Sequence, residues 1–138
     1  MKAKKKLAMV LAPTLSAIAM TVGGAGSASA AASNVMAYTC QDNEVCLYHD
    51  RDFTGSVFVP DELKYRSAVQ DFGVRNFVNG TNANEAVSSV KNTTGWTFCF
   101  YDNPHLDHYE GSIGPDTNMT FVGGYSYLND IISSMGPC

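Results

Sequence analysis

Two short runs of the sequence carry oxygen-bearing side chains at matching positions. Residues 84–89 read NEAVSS and residues 129–134 read NDIISS. Calcium takes six to eight oxygen ligands from carboxylate, amide, hydroxyl and backbone carbonyl groups. Asn, Asp and Ser also cluster in ordinary turns, because their side chains bond to nearby backbone groups. Each run is therefore either part of a calcium site or a polar corner of the fold.

A second group of candidate ligands lies between these runs. His105 and His108 fall in a predicted loop with Asp107 and Glu110 nearby, and imidazole and carboxylate groups bind transition metals. A His-x-x-His pair outside a helix is a weak signal, so we interpret this segment as a surface loop. The sequence contains no nucleophile elbow and no HExxH motif. We therefore do not expect an enzyme.

The first thirty residues are typical of a secretory signal peptide. Lys2 and three further lysines precede an apolar stretch, and a run of small residues ends in ASA at Ala30. The apolar stretch is shorter than the ~20 residues that span a bilayer, and Pro13 interrupts it. We therefore predict an exported, soluble chain with one mature domain at residues 31–138 and no membrane partner.

Removal of the signal peptide leaves a strongly acidic domain. All 13 Asp and Glu residues but only 5 of the 9 Lys and Arg residues follow residue 30, which gives a net charge of −8. A surface of this charge repels phosphate backbones and attracts cations. We therefore exclude nucleic acid as a partner.

All four cysteines fall within the predicted mature domain. An even number in an exported chain predicts two disulfides, for which three pairings are formally possible. We favour a local Cys40–Cys46 bridge and a Cys99–Cys138 bridge that ties the last residue to a central strand. A zinc site is the competing use of four cysteines, but the sequence has no CxxC pair.

The elements that position these groups are predicted to be strands. Segments rich in Val, Phe, Tyr and Thr alternate with Gly, Asn and Asp clusters. Five of them read as strands: residues 44–50, 55–60, 74–80, 96–102 and 118–124. Only residues 61–72 show helical spacing, with Asp61 as the cap and an apolar face of Tyr65, Val69 and Phe72, and we expect at most a short helix there. The pattern predicts an all-β sandwich or barrel, with Trp96 as a core anchor.

The two halves of the domain repeat the same features in the same order. The segment CLYHDRDFTG, which begins at Cys46, is similar to CFYDNPHLDHYEG, which begins at Cys99. The two Ser-Ser runs follow in the same order. In each copy an aromatic residue is predicted to fold back over an acidic turn. Gly55 and Gly111, two positions later, are predicted to adopt a backbone conformation closed to residues with a Cβ.

These features resemble a βγ-crystallin-type double Greek key. The markers are the folded hairpin at residues 48–55, its looser partner at residues 101–111 and the two Ser-Ser runs. The opening CQDNEVCLYHDRDFTG is also similar to secreted bacterial inhibitors of the peptidase inhibitor I36 family, typified by a Streptomyces metalloproteinase inhibitor. The resemblance implies two four-stranded Greek-key motifs packed face to face, at about residues 40–92 and 93–138.

The resemblance implies a binding function, the inhibition of extracellular metalloproteases such as thermolysin-like enzymes by a secreted monomer. In the inhibitor that typifies this family the reactive segment lies in a second short loop closed by two nearby cysteines, whereas here Cys99 has only the terminal Cys138 as a partner. The Cys99–Phe100 bond offers an apolar residue, but it lies within a predicted strand, so no reactive bond is assigned. The alternative function is that of a calcium-binding structural or stress protein without a protease target. A toxin-like or antimicrobial module is a third class.

The resemblance also implies how calcium would be held. Calcium-binding βγ-crystallins carry the pattern Asn/Asp-Asn/Asp-x-x-Ser/Thr-Ser, which NDIISS matches fully and NEAVSS matches except at its Glu. The implied ligands are side-chain oxygens of the acidic residue and the first serine, with the carbonyl of the residue after the acid. They are Asp130, Ile131 and Ser133 in the second run, and Glu85, Ala86 and Ser88 in the first. The acidic loops at residues 50–52 and 102–107 are expected to complete the sites.

Overall fold

Seven short strands form two antiparallel sheets in the computed structural model, which describes residues 38–138. The predicted signal peptide lies outside the described residues. The first sheet has the order β2-β1-β3-β6, with β1 at Val45–Tyr48, β2 at Val57–Phe58, β3 at Ser89–Asn92 and β6 at Thr117–Thr120. The second has the order β5-β4-β7, with β4 at Phe98–Asn103, β5 at Asp107–Ile113 and β7 at Ser134–Pro137. Within the described part of the chain, no helix is long and apolar enough to cross a membrane.

Each half of the domain supplies an edge to the sheet of the other half. Strand β6 belongs to the second half of the sequence but pairs with β3 of the first half. In return, Val69 of the first half makes an antiparallel bridge to Met135 in β7, with N–H···O distances of 2.8 and 3.0 Å. This exchange produces two interlocked Greek keys. The fourth strand expected in the second sheet is reduced to the single bridge at Val69.

The apolar inner faces of the two sheets share one core. In the first half the rings of Phe58 and Phe72 meet edge to face, with centroids 5.7 Å apart. In the second half Phe100 and Phe121 form an equivalent pair at 5.8 Å. Such pairs contribute about 0.5–1.5 kcal/mol beyond the burial of their area. The two aromatic pairs belong to one continuous cluster of buried side chains.

Both predicted disulfides are confirmed. Cys40 and Cys46 are joined across a Cα–Cα distance of 5.9 Å, and Cys99 and Cys138 across 5.1 Å. Because Cys99 lies in β4, the middle strand of its sheet, the second bridge fixes the end of the chain to the centre of that sheet.

The short helix expected within residues 61–72 is present, and it is confined to the first turn of that segment. The helix α1 spans Asp61–Lys64 only, and Pro60 rather than Asp61 occupies the N-cap position. Leu63 alone of this turn is buried, and Tyr65 is 81% exposed instead of packing on an apolar face. The residues that follow leave the helix because they pair with β7, and this tertiary pairing outweighs a weak local preference.

The strand predicted at residues 74–80 is also wrong, since this segment forms one arm and the tip of an irregular hairpin. Asn76 bridges to Asn82 across the turn, and Gly80 has a φ of +87°. That left-handed conformation is open to glycine and ends any extended run. The segment is thus a turn that lies against the start of β2 and is not a strand of either sheet.

The prediction that Trp96 anchors the core is wrong. Trp96 is 42% exposed on the turn between β3 and β4, and the Arg66 guanidinium carbon lies 4.5 Å from its ring centroid. The buried Asn92 side chain holds this turn by donating to the carbonyls of Trp96 and Gly114, at 2.8 and 2.7 Å. The polar Asn92 side chain is therefore buried beneath this turn, whereas the indole lies at the surface.

Candidate functional site

The two Ser-Ser runs meet and form corresponding corners of the fold. The Asp130 N–H donates to the Val87 carbonyl, and the Glu85 N–H donates to the Ile132 carbonyl, both at 3.1 Å. Glu85 and Asp130 have φ values of +52° and +56°, a left-handed conformation that is uncommon for residues with a Cβ. The reciprocal bonds show that the sequence repeat is also a structural repeat.

The second serine of each run holds the folded hairpin of its own half. Ser89 Oγ donates to the Asp50 carbonyl at 2.7 Å and accepts from the Phe53 N–H at 3.0 Å. Ser134 Oγ makes the same two bonds in the second hairpin, at 2.6 and 3.1 Å. Both serines are fully buried. This part of the repeated pattern is therefore explained by folding alone.

The first serine of the first run reaches across to the second run. Ser88 Oγ donates to Asp130 Oδ1 at 3.1 Å, and Asn129 Nδ2 donates to Asp130 Oδ2 at 2.5 Å. Asn129 Oδ1 is buried and has no hydrogen-bond partner within residues 38–138. The sequence grouped Asp130 with Ser133 of its own run, whereas the structure joins the Asp130 carboxylate to Ser88.

The opposite corner lacks such a cluster of side chains. Glu85 is exposed, and its carboxylate makes no hydrogen bond or ion pair among the described residues. Ser133 is buried, and Ala86 and Ile131 pack partly buried against the core. The two corners therefore share their backbone bonds and differ in their side-chain contacts.

One carboxylate in each of the acidic loops expected to complete these corners contacts a histidine. The Asp50 carboxylate lies 2.7 Å from His49 Nδ1, and the Asp102 carboxylate lies 2.8 Å from His108 Nδ1. The Asp102 carboxylate holds the pKa of His108 above its usual range. The sequence grouped His105 with His108, but the carboxylates that contact His108 are those of Asp102 and Glu110.

The two aromatic-x-Gly elements are alike in their rings and unlike in their glycines. Phe53 packs edge to face on Tyr48 with centroids 6.0 Å apart, and Tyr109 packs on Tyr101 at 6.2 Å. Gly55 has the predicted left-handed φ of +72°, and a Cβ there would collide with the Asp50 carboxylate. The same prediction for the second glycine, at position 111, is wrong. That residue lies within β5, and left-handed residues earlier in the loop make the turn.

The Cys99–Phe100 bond is inaccessible to a protease. Both residues lie in β4, which is paired on both sides, and both are buried. This agrees with the expectation that a bond within a strand is not the reactive bond.

Residues 77–81 form a turn with one exposed apolar side chain, which the strand prediction for this segment did not anticipate. Val78 at its tip is 80% exposed, whereas its neighbour Phe77 is buried. The Val78 N–H donates to the Val57 carbonyl at 2.9 Å, and the Asn79 N–H donates to Ser56 Oγ at 3.0 Å. The Asn79-Gly80 dipeptide, a strong turn signal, marks this segment in the sequence. We call residues 77–81 the Val78 turn.

Glu44 organises the segment that leads into β1. Its carboxylate accepts from the Tyr38 hydroxyl and the Gln41 N–H, both at 2.9 Å, and lies 3.1 Å from Lys64 Nζ. Burial alone would raise the pKa of Glu44, but the bonds from Gln41, Lys64 and Tyr38 outweigh burial and lower that pKa. The carboxylate is therefore charged and fixes the N-terminal segment against α1.

Comparison with known proteins identifies the family. The model of peptidase inhibitor family I36 matches residues 33–113, more than half of the chain. The chain belongs to this family. The match includes both hairpins and the Val78 turn, and it supports a general role as a peptidase inhibitor. The comparison with curated protein sequences gives no match.

Solved βγ-crystallin domains share the fold of this I36 family member. A structure from work on the evolution of the eye lens βγ-crystallin domain fold is 23% identical with a TM-score of 0.56, covering 73% of this chain and 90% of that one. A βγ-crystallin from Ciona intestinalis is 21% identical with a TM-score of 0.54, covering 69% and 99%. An archaeal βγ-crystallin is 22% identical with a TM-score of 0.52, covering 69% and 96%. The resemblance to the βγ-crystallin fold is thus confirmed.

Proposed function

We propose that this protein is a secreted, monomeric inhibitor of extracellular peptidases and that thermolysin-like metalloproteases are its targets. The match of the I36 family model over residues 33–113 carries the proposal. Both disulfides suit an oxidising, protease-rich environment outside the cell.

We assign the contact with the protease to the Val78 turn. Proteases of this type accept apolar side chains, and the turn presents Val78 almost fully to solvent. The Phe77 N–H donates to the Thr81 carbonyl at 2.8 Å, and the Gly80 N–H donates to the Phe77 carbonyl at 2.9 Å. Together with the bonds to Val57 and Ser56, these contacts fix the turn before binding. A segment that is already ordered loses little conformational entropy in a complex.

Inhibition of a thermolysin-like protease by the disulfide-intact protein tests both statements. We expect inhibition at micromolar concentration or below, and a loss of about 100-fold or more for Val78→Asp, because a charge would have to enter an apolar pocket. Val74→Asp is the matched control, since Val74 is 77% exposed but lies outside the turn.

Failure of the proposed function and failure of the assigned contact segment give different results. Absence of inhibition by the wild-type protein at micromolar concentration would contradict the function. Inhibition that Val78→Asp leaves unchanged, or that Val74→Asp weakens equally, would contradict only the assigned segment. Secretion is tested separately by mass spectrometry of the exported protein, whose mature chain we expect to begin near residue 31.

The corner at Asp130 favours calcium binding as a second function. Asn129 Oδ1 is a buried acceptor without a donor, which costs about 1–3 kcal/mol unless a partner supplies the missing interaction. The side-chain oxygens of Asp130, Ser88 and Asn129 form an oxygen-only donor set of the kind calcium prefers. These residues, with the Ile131 carbonyl, would hold the ion. Calcium would there neutralise the carboxylate and join the two runs.

We propose a weaker site at the opposite corner, where Glu85 has the same left-handed backbone as Asp130 and would offer its carboxylate together with the Ala86 carbonyl. Thermal melts with calcium and with chelator test both sites, and we expect calcium to raise the melting temperature. Asp130→Asn should remove most of this rise and Glu85→Gln only a small part. Identical melting curves with calcium and with chelator would contradict calcium binding at both corners.

A further inference from the structure

Three metal-ligating side chains converge on one face of the hairpin formed by β4 and β5. The register of these strands places Asp102 opposite His108, and Glu110 is the extra residue of the β-bulge that follows in β5. His108 Nδ1 lies 2.8 Å from Asp102 Oδ1 and 3.0 Å from Glu110 Oε1. The three ligand atoms all lie within 4.8 Å of one another. Strand pairing, rather than a flexible loop, thus brings them together.

Two carboxylates share a single ring nitrogen in this cluster. Nδ1 of an imidazole carries at most one proton, so it donates one well-aligned hydrogen bond. The second carboxylate is left without a well-aligned donor. The side chains of Asp102 and Glu110 are only 30% and 21% exposed, so water compensates them incompletely. A cation with more than one coordination position would satisfy both.

The second half of the domain has no Lys or Arg to balance this cluster. No Lys or Arg follows Lys91, whereas the second half of the domain carries five carboxylates. The less exposed carboxylates of the first half have basic partners, as in the ion pairs Glu44–Lys64 and Glu62–Arg75. Asp102 and Glu110 have only His108 within the described residues.

We propose that Asp102, His108 and Glu110 form a binding site for a divalent transition-metal ion of the zinc class. Nitrogen and carboxylate ligands bind zinc at about 2.0–2.2 Å, which requires ligand atoms roughly 3.4 Å apart in a tetrahedron. The nitrogen–oxygen distances of 2.8 and 3.0 Å are within about 0.6 Å of that value. An imidazole among the donors favours zinc over calcium.

The ion would link β4 to β5 and leave one coordination position to solvent. The His108 side chain is 64% exposed, so the cluster opens outward and an ion reaches it without rearrangement of the core. The site is separate from both the Val78 turn and the Asp130 corner, and it is independent of the proposed inhibition.

Calorimetric titration of the untagged, chelator-treated mature protein with zinc chloride tests the proposal. We expect one saturable site, and a loss of affinity of about 100-fold or more for His108→Asn, since even partners outside the ligand shell change metal affinity 10- to 100-fold. Asparagine is chosen because His108 has a φ of +59°, a conformation that Asn tolerates. Glu110→Gln should also weaken binding, by at least about 10-fold.

His49→Asn is the matched control. His49 occupies the first hairpin, and its Nδ1 lies 2.7 Å from a single carboxylate, that of Asp50. We expect wild-type zinc affinity for this variant, and no competition with zinc by millimolar calcium. Zinc should raise the melting temperature of the wild-type protein by about 10 °C at a hundredfold excess over Kd, and leave that of His108→Asn unchanged.

Three results would each overturn the proposal. They are the absence of saturable binding up to millimolar zinc, wild-type affinity in His108→Asn, and equal losses of affinity in His49→Asn and His108→Asn. Melting curves recorded without metal show whether each variant is folded, so a folding defect is not mistaken for loss of the site.

Discussion

The two hairpins of this domain share their internal bonds and differ in their charges. In each, a buried serine from a later strand donates to one carbonyl of the hairpin loop and accepts from an N–H three residues on. The first hairpin has basic side chains nearby, such as Lys91 with its Nζ 4.7 Å from the Phe53 ring centroid. The second has carboxylates and histidines and no Lys or Arg of its own. The repeat thus fixes the backbone and leaves the outer side chains free to differ.

The disulfides offer the strongest test of the difference between the halves. Replacement of Cys99 and Cys138 by serine should cost about 4 kcal/mol of unfolding free energy, because the bridge closes a long loop. The same change at Cys40 and Cys46 should cost about 2.4 kcal/mol, because that loop is short. Urea denaturation of both variants measures this, and a larger loss on removal of the Cys40–Cys46 bridge would contradict the ranking.

The two hairpin serines should, in contrast, behave alike. Ser89→Ala and Ser134→Ala each leave a carbonyl and an N–H without their buried partner. We expect each variant to lose about 2–3 kcal/mol of unfolding free energy, within about 1 kcal/mol of the other. Chemical denaturation checks this, with Ser126→Ala on an exposed turn as the control. A negligible loss in either serine variant would show that the shared bonds do not stabilise both hairpins.

Substitution of alanine for the hairpin glycine should destabilise the protein in the first hairpin but not in the second. Gly55→Ala is strained because Gly55 has a φ of +72° and a Cβ would meet the Asp50 carboxylate, so we expect a loss of about 1–2 kcal/mol. Gly111→Ala has ordinary strand geometry and its nearest contact is 3.5 Å from Leu128, so we expect a change below about 0.5 kcal/mol. Equal melting temperatures for the two variants would contradict this contrast.

The smallest expected effect concerns Glu44, which fixes the entry to the first hairpin. The pKa of Glu44 is lower in the folded protein than in the unfolded chain. Its stabilising effect is therefore complete above the unfolded pKa of about 4.3 and is lost as the pH falls through the lower, folded value. We expect Glu44→Gln to reduce the decline of stability below pH 4. Thermal melts from pH 7 to pH 2 measure it, and an unchanged pH profile would show that Glu44 is not responsible.

The sequence predicted those elements whose local pattern agrees with their final contacts. Strands β1, β2, β4 and β6 and both disulfides were found in this way. Strands β3, β5 and β7 were not among the predicted strands. The first part of β5 is polar and was predicted to be a loop. Strands β3 and β7 each begin with serine and have weak strand propensity. They become strands because β1 or β4 pairs with one side and the exchanged segment with the other.

The candidate sites depend on the same long-range contacts. The link between Ser88 and Asp130 joins the two runs, so a pattern within one run could not predict it. The sequence placed His105 beside His108 because they are close in the chain. Strand register instead brings Asp102 to His108, and His105 lies in the left-handed turn between the strands.

The exchange of edges between the halves bears on what a cut in the Val78 turn would do to the domain. Neither disulfide spans residues 77–81, since one closes before the turn and the other after it. The N-terminal piece would nevertheless stay in place, because β1 is paired along its whole length with β3 and Val69 is bridged to Met135. The two new chain ends would remain close together, because Val78 and Asn79 bond to Val57 and Ser56. A nicked molecule would therefore keep its fold.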